Sequence, residues 1–180
     1  MKIGIDISQL AYEQTGVANY LSSLVKYLVE TDKENDYILF YSSLRKKLDM
    51  NFVSELMSTR VSFKHFKFPP TVLDVLWNKL HVLPIENLIG DVDIFITSDW
   101  TEPPTRKAKK VTILYDLIVY KYPEETAALI VGTQKRKLAW VKKESSMILC
   151  ISRATKKDAE EILGIDTKRL SVVYPGVSFN

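Results

Sequence analysis

The segment "IDISQLAYEQTGVANYLSSLVKYLVE", residues 5–30, decides the fold because it joins a short apolar strand to an amphipathic helix. The strand stops at Ile7, and the helix starts immediately after Gly16, with one polar loop between them. Apolar side chains recur along the helix at the spacing of a single face, at Val17, Leu21, Leu24 and Leu28. A strand that leads into a helix through such a loop is the first half of an α/β unit.

Strand-like runs and helical patterns alternate over the rest of the chain. The predicted strands are 2–7, 37–42, 61–66, 92–97, 111–116, 146–152 and 170–174. The predicted helices are roughly 16–31, 71–83, 124–144 and 153–163. Several strands are almost continuously apolar, which is typical of strands buried on both faces of a parallel sheet covered by helices. The pattern therefore predicts an α/β fold with a doubly wound, mostly parallel sheet.

The composition is that of an ordinary globular protein of 180 residues, 46% hydrophobic and 26% charged. One domain is expected for this length, and the net charge of +3 permits an anionic partner without requiring one. The single cysteine, Cys150, lies in the apolar run "MILCI" and is interpreted as a buried structural thiol in a reducing compartment. The sequence shows no Cys/His cluster for a metal, no signal peptide and no membrane-spanning run. We therefore expect an intracellular protein.

Polar residues that follow the strands are candidates for a site, because ligands of open parallel sheets bind beyond the carboxyl ends of the strands. Gly16 allows a phosphate to approach the backbone at a helix N-terminus, where free N–H groups and the helix dipole favour an anion. A loop glycine that serves only the turn is the alternative. The loop contains neither G-x-G-x-x-G nor G-x-x-x-x-G-K-[ST], so neither a dinucleotide fingerprint nor a P-loop is indicated.

Three other features each allow two interpretations. Tyr115 and Asp116 end a predicted strand. They either offer a hydroxyl and a carboxylate to sugar hydroxyls or to a proton that is being transferred, or they are structural, with Asp116 capping the following turn and Tyr115 packed beside it. Asp99 and Trp100 are either a carboxylate beside an aromatic platform for a sugar, or a loop with a partly buried anchoring tryptophan. The predicted helix 124–144 carries a basic face for anionic lipid or an ordinary solvated surface. Its basic residues include Lys135, Arg136, Lys137, Lys142 and Lys143.

Five segments, taken in order, resemble the N-terminal domain of GT-B glycosyltransferases of family 4. They are "MKIGIDISQL", "TGVANYLSSLVKYL", "VTILYDLIVYKYPEE", "ILCISRATKKDAEEILGI" and "LSVVYPGV". The family's motifs are matched, in chain order, by Gly16-Val17 with Tyr20, Tyr115-Asp116-Leu117, Pro123-Glu124, Ser152 with Thr155 and Asp158, and Pro175-Gly176-Val177. The resemblance spans essentially the whole chain, and the order and spacing of the segments are more specific than any one motif.

The resemblance implies a retaining transfer of a sugar from a nucleotide-sugar donor to a saccharide or lipid-linked acceptor. It implies no metal and no other cofactor, and no nucleic acid is expected as a partner. Tyr115 and Asp116 take the catalytic positions, and the backbone amides of Gly16 and Val17 lie near the donor diphosphate. The acceptor-binding positions are Gln14, Asn19, Tyr20, Asp99, Trp100, Glu124 and Ser152.

The same resemblance makes residues 1–180 a single Rossmann-like, acceptor-side domain with an exit linker from about residue 175. A C-terminal domain that binds the nucleotide sugar is then needed in cis or in trans, and the chain alone is expected to be inactive. We expect a cytoplasmic location, with a weak, salt-sensitive contact to the inner surface of a membrane as a further expectation.

One departure from the family's pattern is the tyrosine at position 115, where the family has a histidine. A phenol forms hydrogen bonds to sugar hydroxyls but does not carry charge near neutral pH as imidazole does. Other small α/β modules remain open as alternatives. A response regulator needs clustered acidic residues by the first strand, where Asp6 stands alone, and a flavodoxin needs a phosphate loop richer in Ser and Thr than "SQLAYEQTG". A non-catalytic binding domain is the third alternative.

Overall fold

Seven parallel strands form one sheet in the computed structural model, which describes residues 1–11, 15–98 and 100–176. The strands are β1 Lys2–Asp6, β2 Asp36–Ser42, β3 Val61–Phe66, β4 Ile94–Thr97, β5 Lys109–Leu114, β6 Met147–Cys150 and β7 Leu170–Val172. Their order across the sheet is β3-β2-β1-β4-β5-β6-β7, and every pair is parallel. All seven predicted strands and the doubly wound α/β class are confirmed.

Helices connect the strands. They are α1 Gly16–Thr31, α2 Met50–Leu56, α3 Pro70–Leu73, α4 Glu86–Ile89, α5 Ile118–Lys121, α6 Ala128–Glu144 and α7 Arg153–Glu161. A π-helical segment, Asp74–Lys79, continues α3, and short 3₁₀ turns occupy Ser8–Ala11, Pro123–Glu125 and Thr167–Arg169. None of the helices in the described ranges is both long enough and apolar enough to cross a membrane.

The helix boundaries differ from the prediction in one place that concerns the site. Helix α6 begins at Ala128, whereas the sequence pattern placed its start at residue 124. Pro123 and Glu124 lie instead in a separate 3₁₀ turn, because proline at the first position favours a new helical start.

Both faces of the sheet are buried, which explains the continuous apolar runs. Helix α1 places Leu21 and Val25, both fully buried, in the same cluster as Ile5 of β1. On the opposite face, Phe95 of β4 packs in a cluster with Trp77 from the π-helical segment. Successive residues of a strand point to opposite faces, so a strand buried on both sides needs apolar residues at nearly every position.

Gly4 shows how tightly β1 is packed on the face of Phe95. A Cβ atom at position 4 would lie 2.7 Å from Cδ2 of Phe95 and 3.0 Å from Cδ1 of Ile89. We expect Gly4→Ala to lower the free energy of unfolding by about 1 to 3 kcal/mol, the usual cost of overpacking a core. Denaturant unfolding of the chain measures this loss. An unchanged unfolding midpoint would show that Phe95 moves aside at no cost.

The strand order reverses beside β1. From β1 the chain goes to β2 and β3 on one side, and then crosses to β4 and the later strands on the other. The loops that leave the carboxyl ends of β1 and β4 therefore diverge, and they leave a crevice between them.

Candidate active site

A cavity of about 500 Å³ occupies this crevice, and we call it the switch-point cavity. Asp6 ends β1 and Ser98 follows β4, so the ends of the two central strands contribute directly. Its polar lining residues are Asp6, Ser8, Gln9, Thr15, Ser42, Ser98 and Thr101. Its apolar lining residues are Val17, Pro70, Leu73 and Trp100. The cavity therefore offers hydrogen-bonding groups together with an apolar wall.

Asp6 is a buried carboxylate in this cavity, with 6% of its surface exposed. Its Oδ1 atom accepts a hydrogen bond of 2.9 Å from the backbone N–H of Ser8. Burial raises the pKa of Asp6 above its ordinary value of 3.8, and hydrogen bonds from Ser8 and the positive charge of Lys137 oppose the rise. A carboxylate placed in this way can accept hydrogen bonds from the hydroxyl groups of a ligand.

Lys137 of α6 extends to the carboxyl end of β4. Its Nζ atom donates to the backbone carbonyl of Ser98, and only 2% of the residue is exposed. Arg136, its neighbour, binds Asp74 with an Nη2–Oδ2 distance of 2.8 Å. The interpretation of α6 as a solvated basic surface is therefore wrong for Lys137, which is buried, whereas Arg136 is ion-paired but remains partly exposed.

A second cavity, of about 700 Å³, lies at the N-terminus of α1, and we call it the helix-end cavity. Residues from three parts of the chain line it: Gly16, Val17, Asn19, Tyr20, Ser22 and Ser23 from α1, Tyr115 and Asp116 after β5, and Ile151, Pro175 and Gly176 beyond β6. Val17 lines both this cavity and the switch-point cavity, so the two are neighbours along the carboxyl edge.

Gly16 is the first residue of α1, and the preceding Thr15 is its N-cap. The Thr15 hydroxyl accepts a hydrogen bond of 3.1 Å from the N–H of Ala18. Gly16 does not adopt a positive φ, and a Cβ atom built on it meets nothing within 4 Å. The explanation of Gly16 as a glycine required by the turn is therefore wrong, since neither the backbone angle nor the packing of the described residues excludes a side chain.

Tyr20 and Tyr115 form an edge-to-face pair with ring centroids 5.7 Å apart. The Tyr20 hydroxyl donates to the carbonyl of Val173 at 3.2 Å, and the Tyr115 hydroxyl is 3.0 Å from Oγ of Ser98. Asp116 is exposed, and its Oδ1 accepts a hydrogen bond of 3.0 Å from the N–H of Ile118. The packing and capping roles considered for Tyr115 and Asp116 are both present, and both residues also line the helix-end cavity.

Trp100 is held by its backbone and leaves its ring partly in solvent. The carbonyl of Trp100 accepts a hydrogen bond of 3.0 Å from Nδ2 of Asn78, and Oδ1 of Asn78 accepts one of 3.0 Å from the N–H of Glu102. Asn78 is 2% exposed, whereas 38% of Trp100 is exposed. The buried side chain of Asn78 therefore holds the backbone of this loop, and Trp100 borders the switch-point cavity.

The profile of the family described as Glycosyltransferase Family 4 matches residues 14–180. The chain belongs to this family. A comparison with curated protein sequences gave no significant match. Membership in family 4 indicates a glycosyltransferase-type role and agrees with the Rossmann-like arrangement of the seven strands.

The structure of this family 4 chain gathers some of the predicted residues and leaves others apart. Gly16, Val17, Asn19, Tyr20, Tyr115 and Asp116 line the helix-end cavity, and Trp100 lines the switch-point cavity. Glu124 is exposed and lines neither cavity, and Ser152 lines neither cavity either. The Ser152 hydroxyl instead caps α7 by accepting a hydrogen bond of 3.0 Å from the N–H of Thr155. The remaining two, Gln14 and Asp99, lie outside the described residues.

Asp6 and Lys137 were not predicted from the sequence to belong to the site. Asp6 drew attention only as a lone acidic residue, although its place at the end of the first strand was a usable signal. Lys137 gave no such signal, because a lysine among basic neighbours on a helix usually faces water. The burial of Asp6 and of Lys137 could be predicted only with knowledge of the order of the strands in the sheet.

No group of three or more His, Cys, Asp and Glu side chains that could hold a metal ion occurs within the described part of this family 4 chain. That the reaction needs no metal and no other cofactor stays a prediction.

Cys150 of β6 is fully buried, as the sequence indicated. Burial raises the pKa of its thiol to about 11. Because only the thiolate reacts, we expect alkylation of the native chain at pH 8 to be at least about 100-fold slower than that of an unhindered thiol. Iodoacetamide labelling followed by mass spectrometry measures the rate, with the chain unfolded in guanidinium as the control. Equal rates in the two states would contradict the burial.

Proposed function

We propose that the chain is the acceptor-binding side of a retaining glycosyltransferase, which transfers a sugar from a nucleotide-sugar donor to a hydroxyl of an acceptor. The observation that supports this proposal best is the adjacency of the two cavities through Val17. An acceptor in the switch-point cavity and a diphosphate in the helix-end cavity would lie side by side, as a transfer between them requires.

In this proposal, the donor diphosphate meets the N-terminus of α1. The side-chain-free position at Gly16 leaves room for a phosphate, and Val17 lies one residue further into the helix. No hydrogen bond from the amides of Gly16 and Val17 to another described residue is present. Free N–H groups and the helix dipole stabilise an anion there without a metal. The nucleotide itself is bound by a second domain, supplied in cis or in trans.

The acceptor side uses the carboxyl ends of the central strands. Asp6 accepts hydrogen bonds from acceptor hydroxyls, and the exposed ring of Trp100 packs against an apolar face of the acceptor. Asp116, beside the helix-end cavity, meets a hydroxyl of the transferred sugar or the proton released by the acceptor. Tyr115, which stands where the family has a histidine, holds the loop after β4 in place through the hydrogen bond between its hydroxyl and Ser98.

The proposal is tested by measuring transfer with a panel of nucleotide sugars and saccharide or lipid-linked acceptors. We expect no turnover by residues 1–180 alone and measurable turnover when a family 4 nucleotide-binding domain follows them. Retention is read from the anomeric configuration of the product by NMR. Robust transfer by the chain alone would contradict the division of the site between two domains, and an inverted product would contradict the stereochemistry.

Asp6→Asn is expected to make the chain more stable and the two-domain enzyme less active. The pKa of Asp6 is raised in the folded state, so the ionised carboxylate lowers stability at neutral pH, and the amide removes this cost. The gain is expected at pH 7; it declines as the pH falls through the raised pKa and vanishes below 3.8, where Asp6 is protonated in both the folded and the unfolded state. Thermal unfolding across pH, compared with kcat/KM for the acceptor, measures both effects. A variant that is more stable and equally active would exclude Asp6 from acceptor binding.

A further inference from the structure

His81 follows the π-helical segment and is held against the C-terminal end of α6. Its Nδ1 atom is 2.8 Å from the carbonyl oxygen of Trp77, and its Nε2 atom is 3.0 Å from each carboxylate oxygen of Glu144. The ring also stacks on the indole of Trp140, with the ring centroids 3.5 Å apart. Only 9% of the His81 side chain is exposed. We call His81 and Glu144 the histidine clamp.

The backbone around His81 is strained. His81 has a φ of 52° and Leu83 has a φ of 64°, in the left-handed region that residues with a Cβ atom rarely adopt. Strained conformations of this kind persist where the surrounding structure imposes them, and they are frequent in switch regions. Nε1 of Trp77 donates to the carbonyl of Leu83 at 3.0 Å, and the N–H of Val82 donates to the carbonyl of Leu76 at 2.8 Å. Residues 80–83 therefore fold back on the π-helical segment, and their contacts have to offset the strain.

The two hydrogen bonds of the His81 ring require a proton on each ring nitrogen. A carbonyl oxygen and a carboxylate can only accept, so Nδ1 and Nε2 both have to donate, and only the imidazolium form does so. Burial alone would raise the pKa of Glu144, but hydrogen bonds from Lys110 and His81 hold it below its ordinary value of 4.5. The carboxylate is therefore ionised at neutral pH. A neutral His81 ring would keep only one of its two donors and would lose the attraction between the charges.

The buried charges beside the clamp balance when His81 is positive. Oε2 of Glu144 is 2.6 Å from Nζ of Lys110, and the same Nζ is 3.5 Å from Oε1 of the buried Glu102. Lys110 and an imidazolium together match the two carboxylates. Histidine is also the side chain of this set that ordinarily changes its charge near neutral pH.

The other charged groups around the clamp have partners of their own or lie in water. Lys143 is exposed, and its Nζ is 4.7 Å from the ring centroid of Trp140. Arg136 pairs with Asp74 at the start of the π-helical segment. At the end of α6, Nε of Arg169 donates to the carbonyl of Ser145 at 3.0 Å. Loss of the positive charge on His81 would therefore leave the buried set with one more negative charge than positive charges.

The π-helical segment joins the clamp to the switch-point cavity. Asn78 of this segment holds the loop that contains Trp100 and Glu102, through one hydrogen bond to each backbone. The backbone carbonyl of Asn78 in turn accepts a hydrogen bond of 2.9 Å from Nε1 of Trp140. The indole on which His81 stacks therefore also binds the residue that holds the cavity loop, and Trp100 lines the cavity.

We propose that the histidine clamp makes the wall of the switch-point cavity sensitive to pH. With His81 protonated, the clamp fixes the π-helical segment, and Asn78 fixes the loop at Trp100. Loss of the proton releases the strained residues 80–83 and loosens this loop. His81 is a positioning residue in this proposal, because it acts on the cavity through Asn78 and Trp140. The proposal concerns the cavity whichever ligand enters it, and it does not rest on the proposed function.

The three tryptophans of the chain report on the clamp from three positions, so their indole N–H signals provide the test. Trp140 stacks on His81, Trp77 binds the strained segment, and Trp100 lies in the cavity loop. The ¹⁵N-labelled chain is titrated from about pH 5.5 to about pH 9, with Trp100→Phe and Trp140→Phe assigning the signals. We expect all three indole signals to shift in one transition, at the pH at which the ring signals of His81 change. An indole signal of Trp100 that does not shift with His81 would overturn the coupling.

His65, the other histidine of the chain, provides the matched control. It is exposed, and its Nε2 is 3.1 Å from the carbonyl of Ser43, a single hydrogen bond that a neutral ring also forms. His65→Gln is expected to leave the indole transition unchanged, whereas His81→Gln abolishes it. At pH 6, His81→Gln should also lower the protection of the Val82 amide against hydrogen exchange about tenfold or more. Equal behaviour of the two variants would contradict the proposal.

Glu144→Gln separates the charge of the clamp from its shape. Glutamine keeps an oxygen that accepts from Nε2 of His81 but carries no negative charge, so the indole transition is expected to move to lower pH. A transition at an unchanged pH would show that the carboxylate does not stabilise the imidazolium, and it would overturn the clamp. Far-UV circular dichroism over the same pH range is expected to stay constant, and a change in it would assign the shifts to unfolding and overturn the proposal as well. None of these outcomes depends on the transfer assay of the two-domain enzyme.

Discussion

Gly16→Val in an enzyme that contains both domains is expected to lower kcat/KM for the nucleotide sugar about 100-fold or more, with little change in folding. The side chain would fill the open space in front of the first turn of α1, where the diphosphate is proposed to meet the backbone N–H groups. Loss of one well-placed donor to a developing negative charge typically costs about 3 kcal/mol. The melting temperature and the turnover per folded molecule are measured together.

Gly16→Ala is the matched control for this prediction. A Cβ alone meets no described atom within 4 Å, and alanine favours the helix, so the folded chain is expected to be equally stable or slightly more stable. Its activity should fall less than that of Gly16→Val, because a methyl group excludes less of the ligand. A valine variant that loses stability but keeps its turnover per folded molecule would show that no phosphate approaches Gly16.

Lys110→Met is expected to lower the free energy of unfolding of the chain by about 3 to 5 kcal/mol, the usual cost of breaking a buried ion pair from one side. Lys110 is 2% exposed, and its Nζ lies 2.6 Å from Oε2 of Glu144 and 3.5 Å from Oε1 of Glu102. Methionine fills the space but leaves Glu102, which is fully buried, without its cation. Thermal unfolding should show a decrease in Tm on the order of 10 °C.

Two controls separate this effect from a general sensitivity to lysine substitution. Lys157→Met removes an exposed pair, in which Nζ is 3.7 Å from Oε1 of Glu161, and is expected to cost less than about 0.5 kcal/mol. The double variant Lys110→Met with Glu102→Gln should recover part of the loss, since it removes the stranded charge as well. Glu102 also accepts hydrogen bonds from the hydroxyls of Thr97, at 2.8 Å, and Thr112, at 3.2 Å. A double variant less stable than Lys110→Met would show that these hydrogen bonds, and not the charge of Glu102, determine the stability here.

The sheet could be predicted from the sequence because most of its strands are recognisable from their own residues. Several of the seven are short apolar runs, as burial on both faces of a parallel sheet requires, and the edge strand β3 alternates apolar and polar residues instead. The short helices α2, α4 and α5 were not predicted. Helices of four to seven residues complete too few turns for an apolar periodicity to appear.

The part of the candidate site that was predictable lies within one continuous segment of the chain. Gly16 and Val17 follow directly from a strand, a loop and a helix start, and the structure places both at a cavity. The electrostatic interaction of Asp6 with Lys137 and the hydrogen bond between Ser98 and the hydroxyl of Tyr115 join distant parts of the chain. Such pairs depend on the order of the strands, which no local pattern specifies.

The central position of β1 determines when the chain can fold during synthesis. The N–H of Lys2 donates to the carboxylate of Asp93 across 91 residues, and β1 pairs with β4 only through Ile94 to Ile96. On the ribosome, β1 and β2 can pair early, but the other edge of β1 stays open until β4 has emerged. An unpaired strand edge associates readily with other chains. The first 96 residues therefore have to be made before both edges of β1 are paired, and slow folding is expected of such a topology.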